Sequence, residues 1–541
     1  MIAGGLFISS TSVITALRSM PSDLHLQQQL LQGATIFRTC VILLGVLFIV
    51  FCRSGSQTRP PDSTPESKAG TAFATLLILL IIATALRLYD LGAGLWHDEI
   101  LTYVSYVKLP IGEIITTFHD QNQHFLFTIL AHACIKLFGH TNWALRLPAV
   151  FFGVCSIAAL FYFGRLVTSE IESLFATALM TFSYHHIWFS QNARGYTGLL
   201  FFTILSSYFL LRAIREPADR WWILYACSAA LGMFTNFTIL FIIAGHFFLF
   251  LRKSSKLRGF LLGFALAGFL TILLHALALP QILGGGIGEV STVPLWKKPF
   301  WTILEFVNAL RIGFAGIAIA ACAVIVFAIG VVSYLWSAPE VAELLFVPSF
   351  LCAAVVIGMG HHLWPRFFFF GFGFASLIAV RGTMKVGEHL SKYLNVAGSE
   401  ASRISHPASR IGVLFCSALV LVSAFSIPRV YGPKQDFESA LHYIDENAKP
   451  GDVVVTVGLA GMTYQNFYGM DWENVKTIND LNCIRKQHQR TWLLYTFEPE
   501  LQSVYPQILS SIRNDFHIQK EFYGTVGSGT VVVCRSDHPP F

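Results

Sequence analysis

The sequence is poor in charged residues. Asp, Glu, Lys and Arg make up only 13% of its 541 residues, whereas an average soluble domain contains about 25%. The chain also lacks a CxxC pair and any Cys and His spacing of the kind that binds zinc, and its C-terminal part lacks a nucleotide-binding glycine motif. The low content of charged residues excludes an ordinary soluble protein. The other absences give no support to a zinc-binding or nucleotide-binding protein.

The sequence is rich in long apolar runs. Hydrophobic residues make up 54% of the chain, and several runs have the roughly 17–25 residues that a helix needs to cross a bilayer. Residues 124–138 are shorter and contain His132 and Lys136, so we expect this helix to lie along the membrane surface. The pattern predicts an α-helical polytopic membrane protein with about 12 transmembrane helices. They are predicted at residues 36–52, 71–88, 144–166, 172–189, 196–214, 222–236, 237–251, 258–280, 313–336, 341–360, 366–382 and 411–427.

Basic residues indicate how these spans are oriented. They cluster in short loops, which are typically cytoplasmic. With those loops inside, the N-terminus and the C-terminal tail both lie on the outer face. The net charge of +6 therefore reflects membrane orientation, and we expect no nucleic-acid partner. The loops contain Arg53, Arg59 and Lys68, then Arg212, Arg215 and Arg220, then Arg252, Lys253, Lys256 and Arg258, and finally Arg381, Lys385, Lys392, Arg403 and Arg410.

Composition divides the chain into three parts. Residues 1–70 contain an extra transmembrane helix and a Pro- and Ser-rich cytoplasmic linker, residues 71–427 form the transmembrane domain, and residues 428–541 have the composition of a small soluble α/β domain. In that domain we expect helices over 436–447 and near 501–513, with strands at 453–457, 491–497 and 530–534. A disulfide between Cys483 and Cys534 is one possibility there.

Asp98 and Glu99 follow the second predicted span by a few residues, beside Trp96 and His97. One interpretation is an exposed acidic cap on a loop helix. The other is a carboxylate at the membrane surface that acts as a general base on an acceptor hydroxyl, with a pKa tuned by burial against Trp96. Neighbouring residues on a helix point about 100° apart, so only one carboxylate of the pair is expected to face a substrate.

Arg194 and Arg366 each stand at the outer end of a predicted span. An arginine there is either an anchor that extends its charge to the interface or a ligand for an anionic phosphate, which a guanidinium contacts bidentately. Lys297 and Lys298 allow the same choice between a solvated basic loop and a phosphate contact. His124 is a candidate hydrogen-bond donor to the same phosphate.

A divalent metal is the alternative use of the histidines on this face. Only the doublet His361-His362 has a spacing that favours it, so we expect no metal to be required. The candidate ligands are Asp98, His97, His124, His361 and His362.

Five short motifs resemble, in their order, the GT-C superfamily of membrane glycosyltransferases. The similarity is greatest to the family 39-like branch, which contains protein O-mannosyltransferases and lipid A aminoarabinose transferases. It covers about residues 71–380 and is strongest over 85–200. The motifs are Arg87-Leu88-Tyr89-Asp90-Leu91, Trp96-His97-Asp98-Glu99, His124-Phe125-Leu126-Phe127, Trp143-Ala144-Leu145-Arg146-Leu147-Pro148 and Ser190-Gln191-Asn192-Ala193-Arg194-Gly195-Tyr196.

This resemblance implies a function. A polyprenyl-phosphate-linked sugar would be transferred, with inversion, to a hydroxyl of a lipid, glycan or protein acceptor at the outer face of a membrane, the bacterial inner membrane being the expected location. No cofactor would be required. Asp98 matches the proposed base of the family and Glu99 completes its acidic pair. The resemblance places donor phosphate-binding residues at His124, Arg194, Tyr196 and Arg366.

The sequence departs from the family where many relatives carry a second acidic residue, because Asn192 stands there. Asp98 is then a lone base, and a metal site becomes harder to build. The extra span at 36–52 also has no counterpart at the usual start of the family. Two other functions stay open, a transporter or flippase of lipid-linked sugars and a non-catalytic membrane scaffold whose tail binds partners.

Overall fold

The computed structural model describes residues 8–53, 69–216, 218–254, 256–285, 293–294, 298–313, 317–393 and 407–537. Lys297, Arg403 and the linker residues Arg59 and Lys68 lie outside these ranges.

Helices dominate the chain up to residue 431. Three of the shorter segments are π-helical or 3-10 turns that continue a helix or lead into one, at Tyr103–Val107, Phe260–Ala265 and Pro365–Gly371, and a fourth, at Ile427–Tyr431, ends this part. The helices are Ser10–Leu17, Leu24–Arg53, Ala69–Leu88, His97–Thr102, Ile111–Thr116, Phe125–Phe138, Asn142–Val167, Glu170–Thr181, Tyr184–Ser190, Tyr196–Arg215, Asp219–Thr235, Ile239–Lys253, Leu257–Gly259, Leu266–His275, Leu279–Gly284, Pro299–Gly313, Ile317–Ser337, Pro339–Gly358, Phe372–Tyr393 and Pro407–Ala424.

Eight helices of the described chain are long and apolar enough to cross a membrane, whereas we predicted about 12. The predicted span 172–189 is wrong as a single helix: it breaks at Phe182, and Ser183 caps a new helix with its side chain. The predicted spans at 222–236 and 237–251 are helices of 17 and 15 residues. The eight are Leu24–Val46, Gly70–Leu88, Asn142–Val167, Tyr196–Arg215, Leu257–His275, Pro339–Gly358, Pro365–Tyr393 and Arg410–Tyr431.

Glycines let two of the late helices touch. A Cβ at Gly382 would come 1.9 Å from the carbonyl oxygen of Val326, and one at Gly330 would come 2.0 Å from that of Ile378. Membrane helices lack a hydrophobic driving force between them, so close backbone approach at small residues supplies the packing. Ile317–Ser337 and Phe372–Tyr393 therefore pack through their glycines.

The C-terminal part contains one five-stranded mixed sheet. Its strands are β1 Val453–Val457, β2 Glu473–Val475, β3 Thr491–Tyr495, β4 His517–Phe522 and β5 Val531–Ser536, in the spatial order β2-β1-β3-β5-β4. β1 pairs in parallel with β2 and β3, while β5 is antiparallel to β3 and β4. The helices of this part are Phe437–Asn447, Leu459–Met462 with a π-helical turn at Thr463–Phe467, Ile478–Gln487, Glu498–Val504 and Pro506–Asp515.

The small α/β domain predicted from the sequence is confirmed, although the strands β2 and β4 were not predicted and other details differ. The expected helix near 501–513 is two helices, because Tyr505 precedes Pro506 and is pushed out of the helical region. Cys483 and Cys534 are both free, and Cys534 is buried in β5.

The soluble domain packs directly on the loop helices of the membrane part. One cluster of buried apolar side chains contains Leu95 and Ile100 next to Asp98 together with Phe437 and Tyr464 from the soluble domain. The two parts of the chain thus share a hydrophobic core around the Asp98 segment, and we call this side of the helix bundle the soluble-domain end.

Candidate active site

Asp98 stands between two arginines at the soluble-domain end. It lies in the first turn of the helix His97–Thr102. Its Oδ2 is 2.9 Å from Arg366 Nη1 and 3.2 Å from Arg194 Nη1, and 15% of its side chain is exposed. Burial raises the pKa of Asp98, but the charges of Arg366, Arg194 and His97 outweigh burial and hold that pKa below the ordinary carboxyl value. The carboxylate is therefore ionised at neutral pH.

Aromatic rings support both guanidinium groups. The Arg366 guanidinium carbon lies 4.8 Å from the ring centroid of Trp364, and that of Arg194 lies 5.7 Å from the ring of Tyr196. The Nε atoms of both arginines are buried without a hydrogen-bond partner in the described part of the chain. The two side chains thus keep donors that Asp98 does not use.

His124 lies beside Tyr196, with ring centroids 5.7 Å apart. Its Nδ1 is 3.0 Å from the carbonyl oxygen of Thr235 and 3.3 Å from Nδ2 of Asn236. The shorter contact is to an atom that can only accept, so we assign the proton to Nδ1. Burial, followed by the charge of Arg194, lowers the pKa of His124 to about 3. The ring is therefore neutral, and its buried Nε2 carries a lone pair. This tautomer argues against the predicted role of His124 as a donor to phosphate, whereas the lone pair can accept from a hydroxyl.

Asn192 provides a further donor near Asp98. Its Oδ1 accepts a hydrogen bond of 3.2 Å from Trp96 Nε1, which fixes the orientation of the amide. Its Nδ2 is buried and has no partner among the described residues. With the two arginines, this side chain makes the site rich in donors, a composition that suits an anion with several acceptor oxygens.

Glu99 does not share the environment of Asp98. It is fully buried, and its two carboxylate oxygens lie 2.8 and 2.7 Å from Nε and Nη2 of Arg146. Its Oε1 also accepts from the backbone N–H of Ala193 at 2.6 Å. Burial raises the pKa of Glu99, but the charges of Arg146 and then Lys434 lower it by more than burial raises it. The net shift of this pKa is therefore downward. Glu99 Oε2 also accepts from the Trp96 N–H at 3.3 Å, at the start of its own helix. The side chain of Glu99 thus stabilises this helix end and joins the loops, so the structure argues against the catalytic role that we expected for it.

Arg146, the partner of Glu99, also binds the loop before Asp98. Its guanidinium donates to the carbonyl oxygens of Leu91, Ala93 and Gly94 at 2.8–3.0 Å. The loop before Asp98 is thus wrapped around a single buried side chain. In the described part of the chain, no three His, Cys, Asp or Glu side chains gather as a metal-binding group.

The sequence-predicted site residues divide into two groups. Asp98, Arg194, Arg366, Tyr196 and His124 come together, and Glu99 points away from them. Reasoning from the sequence did not identify three supporting side chains, which are Arg146, Lys434 and Gln435. Arg146 had a detectable signal: it is a basic residue in one of the quoted motifs, at the end of a span opposite the basic loops.

Comparison with solved structures shows what this architecture resembles. The crystal structure of the Archaeoglobus fulgidus oligosaccharyltransferase, tethered with an acceptor peptide, aligns over 86% of this chain and 74% of that chain, with a TM-score of 0.50 and 12% identity. The chain has the GT-C fold. The fold class predicted from the five motifs is therefore confirmed.

Two further GT-C structures align less well. ArnT from Cupriavidus metallidurans bound to undecaprenyl phosphate gives a TM-score of 0.47 and 11% identity, over 86% of this chain and 98% of that chain. Arabinosyltransferase EmbB from Mycobacterium smegmatis gives a TM-score of 0.44 and 13% identity, over 81% of this chain and 46% of that chain. The family model described as dolichyl-phosphate-mannose-protein mannosyltransferase matches residues 123–278, a range that includes His124 and Arg194 but neither Asp98 nor Arg366. No curated protein matches the sequence.

Proposed function

We propose that this GT-C protein transfers a sugar from a polyprenyl-phosphate donor to a hydroxyl of a lipid, glycan or protein acceptor. The observation that carries the proposal is Asp98 held between Arg194 and Arg366, a carboxylate next to a donor-rich anion site. A guanidinium fork can bind phosphate oxygens bidentately. The family match over residues 123–278, to a model described as dolichyl-phosphate-mannose-protein mannosyltransferase, supports a lipid-linked donor.

The proposed reaction is a single displacement at the anomeric carbon. The acceptor oxygen attacks that carbon while Asp98 takes the hydroxyl proton. The bond between the carbon and the phosphate oxygen breaks, and its electron pair stays on the departing polyprenyl phosphate. Arg194 and Arg366 stabilise the charge that grows on the phosphate. Attack from the face opposite the phosphate inverts the anomeric centre, and no cofactor takes part.

The ion pairs of Asp98 suggest how the base is activated. Without donor, both arginines lower the pKa of this carboxyl, which makes it a weak base. A phosphate that enters the site shares the two guanidinium groups, so each contributes less to Asp98. The pKa of the carboxyl then rises toward the working pH only when the donor is bound. The lone pair of His124 Nε2 is free to accept from a sugar hydroxyl.

The supporting residues divide into donor contacts and loop anchors. Tyr196 holds Arg194 by stacking beneath its guanidinium, while Glu99 anchors the two loops through Arg146 and the Ala193 amide. We further propose that the site faces outward from a bacterial inner membrane, on the same side as the soluble domain. Eight apolar helices support the membrane location.

Transport of a lipid-linked sugar is the alternative function. It predicts ionisable side chains within the spans, and Arg87 is such a residue. Its guanidinium, however, donates to the carbonyl oxygens of Ala83 at 2.9 Å and Thr181 at 3.4 Å, and Nη2 lies 2.6 Å from His186 Nδ1. These contacts hold Arg87 in place, so we favour the enzyme.

The test uses the purified full-length chain in lipid vesicles. Polyprenyl phosphates that carry radiolabelled mannose or arabinose are supplied with a membrane lipid and glycan extract, and transfer of the label to an acceptor is measured together with release of unglycosylated polyprenyl phosphate. Asp98→Asn should lower the rate about 100- to 10,000-fold, the usual contribution of a general base. Asp120→Asn is the matched control, because Asp120 contacts Tyr106 and not the arginines.

Two results would contradict the proposal. If the Asp98→Asn protein transfers sugar at nearly the unsubstituted rate, Asp98 is not the base. If labelled donor crosses the vesicle membrane intact and no polyprenyl phosphate is released from any donor, the chain is a transporter.

A further inference from the structure

The helix that carries Asp98 is capped by a residue of the soluble domain. The first N–H groups of a helix have no partner within the helix. The N–H of His97, the first residue of this helix, donates to Gln435 Oε1 at 2.9 Å, across 338 positions of sequence. Both residues are buried, with Gln435 2% exposed. At the start of the Asp98 helix, Glu99 Oε2 accepts from the Trp96 N–H at 3.3 Å, whereas the His97 N–H is satisfied by a side chain that lies outside the membrane part.

The Gln435 amide has a defined orientation. Its Nε2 donates to Thr496 Oγ1 at 3.0 Å, and Thr496 Oγ1 in turn donates to the carbonyl oxygen of Gly529 at 3.2 Å. Thr496 follows directly after β3 and is fully buried. Because Nε2 has this acceptor, Oε1 is the atom that faces His97. The sheet of the soluble domain thus determines where the cap lies.

The neighbouring residue, Lys434, holds the second loop of the site. Its Nζ donates to the carbonyl oxygen of Gln191 at 2.6 Å and lies 5.5 Å from the ring centroid of Trp188. Gln191 precedes the segment that contains Asn192 and Arg194. We call residues 433–435 the strap, since consecutive side chains of this segment contact the two loops that carry the base and one of its arginines.

The strap is itself fixed to the hairpin between β4 and β5. The carbonyl oxygen of Pro433 accepts from the Thr525 N–H at 2.9 Å, and that of Lys434 accepts from the Val526 N–H at 3.1 Å. A Cβ at Gly524 would lie 2.1 Å from the Lys434 carbonyl oxygen, so only glycine permits this approach. The hairpin therefore fixes the backbone of the strap.

We propose that Gln435 is a positioning residue for the glycosyl transfer proposed above, on which this inference rests. Through the His97 N–H it sets the position and direction of the Asp98 helix relative to Arg194 and Arg366. The soluble domain then helps to position the catalytic base, in addition to any role it has in binding acceptors. Gln435 touches no reacting atom, so its removal changes the rate of the chemical step and leaves donor binding intact.

The experiment compares three variants of the full-length chain in lipid vesicles. Gln435→Met has a similar length but cannot accept from His97 N–H, whereas Gln435→Glu keeps an acceptor there and lets Thr496 Oγ1 donate to its second oxygen. Gln465→Met is the control, an exposed glutamine of the same domain whose side chain donates to the carbonyl oxygen of Trp472. We expect kcat to fall about 10- to 100-fold in Gln435→Met, to recover in Gln435→Glu and to stay unchanged in the control. Binding of undecaprenyl phosphate should change less than twofold in all three.

A double-mutant cycle tests the path through Thr496. Thr496→Val removes the acceptor that orients the Gln435 amide, and we expect it to lower kcat by a smaller factor. In the Gln435→Met background the same substitution should have no further effect, because the residues act as one unit. Independent effects that multiply would contradict the proposed path.

Hydrogen exchange separates this inference from the proposed function. Amides of residues 97–102 should exchange faster in Gln435→Met than in the unsubstituted chain, while residues 142–150 stay unchanged. Equal exchange at 97–102 would overturn the cap, whatever the activity. Absence of transfer from every donor by the unsubstituted chain, with faster exchange in the variant, would instead overturn the proposed function and leave the cap in place.

Discussion

Asp98→Asn should bind polyprenyl phosphate more tightly while it loses transfer activity. In the unsubstituted chain, the carboxylate occupies one N–H of each arginine, at 2.9 Å for Arg366 and 3.2 Å for Arg194. A phosphate must compete with these ion pairs, because the donors are shared. The neutral amide of the variant leaves both guanidinium groups more available to the phosphate.

The size of this effect follows from the contacts. A hydrogen bond to a charged group contributes about 1.5–3 kcal/mol, and every 1.4 kcal/mol is about a tenfold change in affinity. The amide oxygen of the variant still accepts from one arginine. We therefore calculate the change in affinity from the loss of a single hydrogen bond to a charged group. Affinity for undecaprenyl phosphate should then rise about tenfold. This gain in affinity should be smaller at high salt, because salt screens the partly exposed ion pairs between Asp98 and the arginines with which the phosphate competes.

Titration of tryptophan fluorescence with undecaprenyl phosphate measures this affinity, because Trp364 stacks on Arg366. The control is Asp120→Asn, which should bind as the unsubstituted chain does. Equal or weaker binding by Asp98→Asn would refute the idea that the base and the phosphate share the arginines. In that event the donor phosphate binds elsewhere, and Asp98 needs another means of activation.

Three further predictions concern stability and pH. Glu99→Gln leaves the buried Arg146 charge without its partner and should reduce the free energy of unfolding by about 3–5 kcal/mol, measured by thermal melting in detergent. In the pH profiles, the acid limb of kcat should lie at higher pH than that of kcat/KM, because kcat reports Asp98 with donor bound. The neutral His124, with its pKa of about 3, should add no limb to either profile near pH 6.5. Burial, followed by the Arg146 charge, lowers the pKa of Lys434 to about 7, so the folded chain binds fewer protons than the unfolded chain above that pH. Stability relative to Lys434→Met should therefore rise from pH 7 to pH 9, and a flat difference in melting temperature would contradict this.

The fold was largely predictable because its signals are local. Apolar length marks a membrane helix, and β-branched runs such as Val453–Val457 mark strands, without knowledge of what lies beside them. The span at 172–189 failed because hydropathy does not register a helix break when the residues on both sides of it stay apolar. Ser183 caps the second helix there, and a single serine inside an apolar run carries little weight in a hydropathy average.

The site was predictable only in part, because its roles depend on contacts between distant residues. Asp98 and Glu99 are adjacent in sequence, yet one faces two arginines and the other is enclosed by Arg146. Helix geometry predicted that they diverge but not which one is buried. The tautomer of His124 depends on the Thr235 carbonyl, 111 positions away. Gln435 had no sequence signal at all, since a glutamine in a loop matches no motif.

The bond between His97 and Gln435 also has a consequence for biosynthesis. Its acceptor is translated 338 residues after its donor, which at about 5–20 residues per second is a delay of roughly 20–70 s. Throughout that interval the His97 N–H lacks this acceptor, while the transmembrane helices between residues 97 and 435 are being translated. A nascent or truncated chain is therefore inserted before this contact can form, and under the proposed function it would reach full activity only once translation is nearly complete.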